Sequence, residues 1–243
     1  MSVPGKMSLV GFVAVVLASS TAVGQNIKPS DSPTLFVQCD YPSRPPKNVV
    51  VTSPELVAKY SGYRAWLQVV SAAPSSGATC YNTTVLWFSG GINREYRQLY
   101  TVFPEQRNLE GSGMRLVDWS RDGQLLLTEL WQWNTEPNDA PFVKRILVFQ
   151  PKSKSKFEIN FDPLLEDQKG KDCFVEFQLL GFTDTNWVAL KTHISTLYGA
   201  DEAIDGVPAD KVCKEKTQTW AVDPATQKWH ALPASFTPIR YAD

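Results

Sequence analysis

The chain has 243 residues, with 24 Lys and Arg against 25 Asp and Glu, and a formal net charge of −1. That balance lacks the basic excess of a nucleic-acid binder, so no nucleic-acid partner is expected. Hydrophobic residues make up 43% of the chain, enough to bury a core in one sizeable domain.

The N-terminus reads as an export signal. Lys6 precedes the uncharged apolar run "SLVGFVAVVLASS" at 8–20, and "AVG" at 22–24 supplies small residues before Gln25. This is the Sec pattern, with cleavage expected near Gly24/Gln25. The run is shorter than the roughly 20 residues of a spanning helix. The expectation is a signal peptide over 1–24, a single all-β domain over 25–243, and no transmembrane segment after cleavage. A periplasmic or secreted location follows.

Beyond the signal, "TLFVQC" at 34–39 reads as a first strand and "YPSRPPKN" at 41–48 as a Pro-rich loop. "SPELVAKYSG" at 53–62 predicts a short helix, with Ser53 as cap, Pro54 at its first position and Gly62 as terminator. "LLEDQKG" at 164–170 predicts a second helical turn. Strands are predicted over 63–72, 79–89, 95–103, 113–119, 124–133, 142–150, 156–161, 173–182, 186–195, 216–222 and 228–232. These stretches are rich in Val, Leu, Phe, Tyr, Trp and Thr and are punctuated by Gly, Asn, Asp and Pro. Many short strands at close spacing argue for an antiparallel all-β fold.

The stretch "VDWSRDGQLLLTELWQW" at 117–133 reads as two strands joined by a turn at Asp122-Gly123. It belongs to a repeat. "LVDWSRDGQLLL" at 116–127 aligns without a gap on "LLGFTDTNWVAL" at 179–190, an offset of 63. "VFQPKSKSKFEI" at 148–159 aligns on "AVDPATQKWHAL" at 221–232, and one residue of gap brings Phe157 over Trp229. A fainter copy includes "VLWFSGGINREYRQLY" at 85–100; there Cys80 precedes Trp87 by seven residues, as Cys213 precedes Trp220. The repeat units span about 60–103, 112–161 and 173–232.

Four cysteines in an exported chain suggest disulfides. Cys39 and Cys80 are separated in sequence almost as far as Cys173 and Cys213 are, which favours those two pairs, although four cysteines allow three connectivities. None forms CxxC and no His stands at ligand spacing, so no zinc site is expected.

With Trp119, Ser120, Asp122 and Gly123 forming its turn, the unit resembles β-propeller repeats of the TolB-like and WD-type kind. The resemblance implies an antiparallel meander of four-stranded blades. Three units fall short of the four or more blades of closed propellers. An up-and-down β-barrel and a β-sandwich remain alternatives.

Chemistry is sparse. No GxSxG, HExxH, Walker-type or GxGxxG motif occurs, and the only histidines are His193 and His230. Each reads as structural, for want of a placed nucleophile and third residue. Glu129 shares a strand face with Leu127, Trp131 and Trp133 by alternation, and Glu176 sits within "CFVEFQ". A carboxylate pair there could act as general acid and base, with hydrogen-bonded carboxylates as the structural alternative.

Eight tryptophans either fill inter-sheet cores or form stacking platforms. The match of Trp87 to Trp220 favours packing for those two. Trp131 and Trp133, without counterparts in the third unit, are with Glu129 the candidate ligand-binding residues. The basic cluster "KSKSK" at 152–156 reads as a solvated hairpin tip, and "NTT" at 82–84 is a glycosylation sequon. No cofactor is implied. The expectation is an exported, non-enzymatic binding or scaffold protein of the cell envelope, acting through a loop face on a protein or glycan partner. The alternative is an envelope or secreted glycan hydrolase using Glu129 or Glu176 beside a Trp-lined cleft.

Overall fold

The structure is a computed structural model. It describes residues 34–35, 49–72, 81–90, 95–103, 111–133, 143–168, 173–196, 203–204, 207–208, 213–214 and 216–243. All of them lie within the compact unit Ser32–Asp243.

The strands in chain order are β1 Thr34–Leu35, β2 Val49–Thr52, β3 Leu56–Val57, β4 Arg64–Ala72, β5 Tyr81–Ser89, β6 Tyr96–Val102, β7 Gly111–Trp119 and β8 Leu126–Trp133. They continue with β9 Val143–Gln150, β10 Ser155–Glu158, β11 Cys173–Phe182, β12 Val188–Thr196, β13 Ala203–Ile204, β14 Val207–Pro208, β15 Lys216–Val222 and β16 Trp229–Leu232. A 3-10 helix, Asp162–Gln168, stands near the predicted second helical turn.

The fold is all-β, with three larger antiparallel sheets resembling blades and a two-stranded pair, β13-β14. The first has the order β2-β4-β5-β6, with β3 also on β4; the second β1-β7-β8-β9-β10; the third β11-β12-β15-β16. Among the described residues no sheet closes into a barrel, so that alternative falls away. No helix among them is long and apolar enough to cross a membrane.

Side-chain alternation explains how the sheets stack. On β4 and β5, Ala65, Leu67, Leu86 and Phe88 are buried and form one core with Met114, Leu116, Trp119, Leu126, Leu130 and Phe149 of the second sheet. The opposite face of the second sheet supplies Val117, Leu127, Ile146 and Val148 to a second core with Leu179, Val188, Leu190 and Val222 of the third. The second sheet is thus covered on both faces. That is why β7 and β8 are buried along nearly their whole described length instead of at alternate residues, polar Ser112, Asp118, Thr128 and Glu129 included.

The second and third sheets share backbone features at positions that the sequence alignment equates. The β7–β8 ladder shifts register between Leu116 and Asp118, and the β11–β12 ladder between Leu179 and Gly181. The two bulges fall at positions that the gapless sequence alignment equates. At equated positions too, the Gly123 N–H donates to Ser120 O and the Asn186 N–H donates to Thr183 O. The Pro-containing turns agree as well: Lys154 and Gln227, each the third residue after the turn's proline, hold φ 59° and 57°.

The segment 53–62 is not a helix. Leu56 and Ala58 both point into the first core, 7% and 1% exposed, with a period of two. Ser53 Oγ accepts a hydrogen bond from the Leu67 N–H across the sheet instead of capping its own turn. The chain's last residues complete the pairing: Val57 and Asp243 exchange backbone hydrogen bonds, and the Lys59 N–H donates to Tyr241 O. A partner so distant in sequence cannot be read from local propensity.

Cys173 and Cys213 form a disulfide, with Cα atoms 5.8 Å apart. It joins the start of β11 to the segment leading into β15. Cys39 and Cys80 lie outside the described residues, so their pairing stays an expectation.

Candidate functional site

Glu129 faces the third sheet from β8, beside Leu127 and opposite Arg115 and Ile146 in the ladder. It is 2% exposed. Arg115 Nη2 lies 2.5 Å from Oε2, and Lys144 Nζ lies 3.2 Å from Oε1. Burial pushes the Arg115 guanidinium below its ordinary range, and the Glu129 charge opposes that shift. Lys144 also lies over the rings of Trp131 and Phe177, 5.8 and 5.4 Å from their centroids. Glu129 and Trp131 therefore come together as expected, but within an ion cluster joining the second and third sheets. A substrate proton would have to displace a cation already in contact with the carboxylate.

Trp133 ends β8, and its side chain lies outside the described residues. Glu176 is exposed on β11. Its neighbour Phe177 packs toward the second sheet, so alternation turns Glu176 to the opposite face. Glu129 and Glu176 thus stand on opposite sides of β11 and do not form a pair. His193 Nδ1 lies 3.0 Å from Thr217 Oγ1, and the His230 ring centre lies 4.8 Å from that of Trp187. Both contacts sit on the outward face of the third sheet.

The first sheet presents a different outward face. With Ala65, Leu67 and Val69 buried inward, β4 turns Arg64, Trp66 and Gln68 outward. Trp87 is Trp66's cross-strand partner. Their rings lie 5.6 Å apart and nearly parallel at 8°. Tyr96 meets Trp66 edge-on at 6.2 Å, and Trp87 Nε1 donates to Gln68 Oε1 at 3.4 Å. Arg64 pairs with Glu55 at 2.5 Å, and the Tyr96 hydroxyl also bonds Glu55. A shallow cleft of about 350 Å³ opens beside Trp66 and Tyr96, lined also by Thr52, Ser53 and Glu55.

This placement corrects one expectation. Trp220 packs against the second core, its Nε1 donating to Thr192 Oγ1 at 3.0 Å. Trp87 does not play the same part. Leu86 and Phe88 already fill the inward face of β5, so Trp87 falls outward. The alternation of Trp66 and Gln68 against Ala65, Leu67 and Val69 was the signal for this surface.

The basic turn also does more than meet solvent. Lys152 lies 5.4 Å from the Tyr63 ring centre and Lys156 lies 4.8 Å from that of Tyr100. Both reach from the second sheet to the first. No family model, curated protein or solved structure matches the chain.

Proposed function

We propose that the protein is an exported, non-enzymatic binding protein of the cell envelope that holds a glycan on the outward face of its first sheet. The observation that carries this reading is the parallel Trp66–Trp87 stack with Tyr96 edge-on beside it. Half-buried indoles offer a flat apolar surface to the C–H face of a sugar ring at little entropic cost. The Glu55–Arg64 pair and Gln68 place donors and acceptors for hydroxyls at the rim. Export is supported by the apolar run at 8–20 and by the Cys173–Cys213 bridge, which suits an oxidising compartment. The propeller-type resemblance is supported by bulges and turns that recur at equated positions of the second and third sheets.

A glycan array followed by titration of tryptophan fluorescence tests the reading. Wild-type protein should bind one saccharide class without cleaving it. Trp66→Ala and Trp87→Ala should lose about tenfold or more in affinity, with only a modest drop in melting temperature from the lost stacked pair. Binding unaffected by both substitutions would overturn the assignment, and release of shortened product would turn it toward hydrolysis.

A further inference from the structure

The structure holds a second cleft at the end of the first sheet, on the side of its inward face, where Tyr96 is shared with the outward aromatic face. This cavity of about 320 Å³ lies between the first sheet and the β9–β10 turn of the second. Tyr63, Phe88 and Gly90 line one part of it, and Glu95, Arg97 and Lys152 bring charge to it. The volume is at the lower end of the range of small-molecule sites.

The two cations in this cavity are held unlike those in the ion pairs. Lys59, Arg64, Arg115, Lys144 and Arg145 each face a carboxylate. Arg97 instead donates to the Pro151 carbonyl at 2.7 Å and lies 5.3 Å from the Phe88 ring centre. Lys152 lies over the Tyr63 ring. Among the described residues neither forms an ion pair, yet both line one cavity from two different sheets. A carbonyl and two ring faces orient these cations without cancelling their charge. The remaining guanidinium N–H groups can take a carboxylate in a fixed geometry, and the ammonium adds a second positive charge.

Gly90 keeps the cavity compact. A Cβ there would come 2.6 Å from Phe88 Cζ, so any side chain would displace the ring on which Arg97 rests. Glu95 supplies the opposite polarity, an acceptor suited to hydroxyls.

We infer that this cavity binds the carboxylate of an acidic, uronate-type saccharide whose neighbouring ring lies on the Trp66–Tyr96 surface. The inference rests on the glycan-binding reading and adds the charge of the ligand. Arg97 and Lys152 hold the carboxylate, Tyr63 and Tyr96 flank the sugar ring, and Glu95 accepts from its hydroxyls. The KSKSK turn thereby contributes one specific lysine to recognition.

The test is calorimetric titration of the intact protein with a uronate oligosaccharide and with its carboxyl-reduced but otherwise identical counterpart. The acidic form should bind at least about tenfold more tightly, as charge-assisted bonds imply, and added salt should narrow the gap. Arg97→Gln and Lys152→Gln should each bring the acidic form down toward the reduced one, whereas Lys154→Gln, the same charge change elsewhere in the turn, should not. Equal binding of the two saccharides, lost in Trp66→Ala, would overturn the carboxylate site and leave the aromatic surface standing. Acid-selective binding lost in Arg97→Gln but indifferent to Trp66→Ala would keep the site and overturn the surface. Binding of neither saccharide would overturn the inference.

Discussion

Gly123 and Asn186 occupy equivalent turns of the second and third sheets and hold the same left-handed backbone, φ 68° and 64°. Each closes a hairpin, β7–β8 or β11–β12, and its N–H donates to the carbonyl of a hydroxyl residue three positions earlier, Ser120 or Thr183. The hydroxyls act alike as well: Ser120 Oγ accepts from the Leu125 N–H and Thr183 Oγ1 from the Trp187 N–H. Glycine and asparagine are the two residues that enter this region most readily. The turns also touch, since Asn186 Oδ1 accepts from the Arg121 N–H at 3.0 Å.

Gly123→Val should therefore be costly. A β-branched residue resists positive φ, and a Cβ at this position would come 2.7 Å from Ser61 Cβ. Backbone strain alone predicts about 1–3 kcal/mol of lost stability, and the clash adds to it. Asn186→Gly should change stability by well under about 1 kcal/mol, because glycine suits the same backbone and only the Arg121 contact is lost. Chemical denaturation of both variants decides: comparable losses would break the equivalence of the turns.

The architecture was legible in the sequence because turn chemistry and alternation are local. Gly123 and the Pro151 turn mark hairpins through backbone requirements that few residues meet. The segment 53–62 misled because Ser53, Pro54 and Gly62 satisfy helix punctuation while their partners, Leu67 and Tyr241–Asp243, lie far away in sequence. The candidate site was half legible. Alternation put Glu129 and Trp131 on one face, but it could not show that Arg115, Lys144 and Phe177 already occupy that face. Trp66 and Trp87 were visible as tryptophans; their exposure depends on which face of the first sheet carries the core.

The Glu129 cluster predicts a non-additive pattern. Glu129→Ala leaves the buried Arg115 without its main counter-charge and should cost about 3–5 kcal/mol. Combining Glu129→Leu with Arg115→Met removes both charges and should be less destabilising than Glu129→Leu alone. A double-mutant cycle by thermal or urea unfolding measures this. Additive losses would mean the two side chains act independently.

The Cys173–Cys213 bridge closes a separation of 40 residues. By chain entropy such a loop stabilises by about 4 kcal/mol. Cys173→Ser with Cys213→Ser should lower stability by up to that amount while leaving the fluorescence of Trp66 and Trp87, and the saccharide response proposed for them, intact, since those residues belong to another sheet. Loss of the first sheet's response would show that the bridge organises more than the third sheet.

Asp118 predicts an unusual pH profile. It sits at the β7 bulge, 2% exposed. Its oxygens accept from the N–H groups of Trp119 at 2.9 Å and Tyr241 at 3.1 Å, fastening the chain's last residues beside the first sheet. Gly181, at the matching bulge, approaches so closely that a Cβ there would lie 3.3 Å from Oδ2. Burial pushes the Asp118 carboxyl up to about 6, against the hydrogen bonds and the Arg240 charge, which pull it down. The folded state therefore holds this proton more tightly than the unfolded chain, whose value is 3.8. Stabilisation from protonation is complete below the unfolded value and is lost as pH rises through about 6. The shift corresponds to about 3 kcal/mol. Asp118→Asn keeps an acceptor oxygen for Trp119 and Tyr241 and cannot titrate. Relative to this variant, wild-type protein should therefore lose about 2 kcal/mol of stability between pH 4 and pH 7, the remainder of the shift being lost below pH 4. Urea unfolding of both proteins across that range measures the difference directly. A difference that stays flat would mean that the hydrogen bonds and the Arg240 charge balance the burial, and one that rises with pH would mean that they outweigh it.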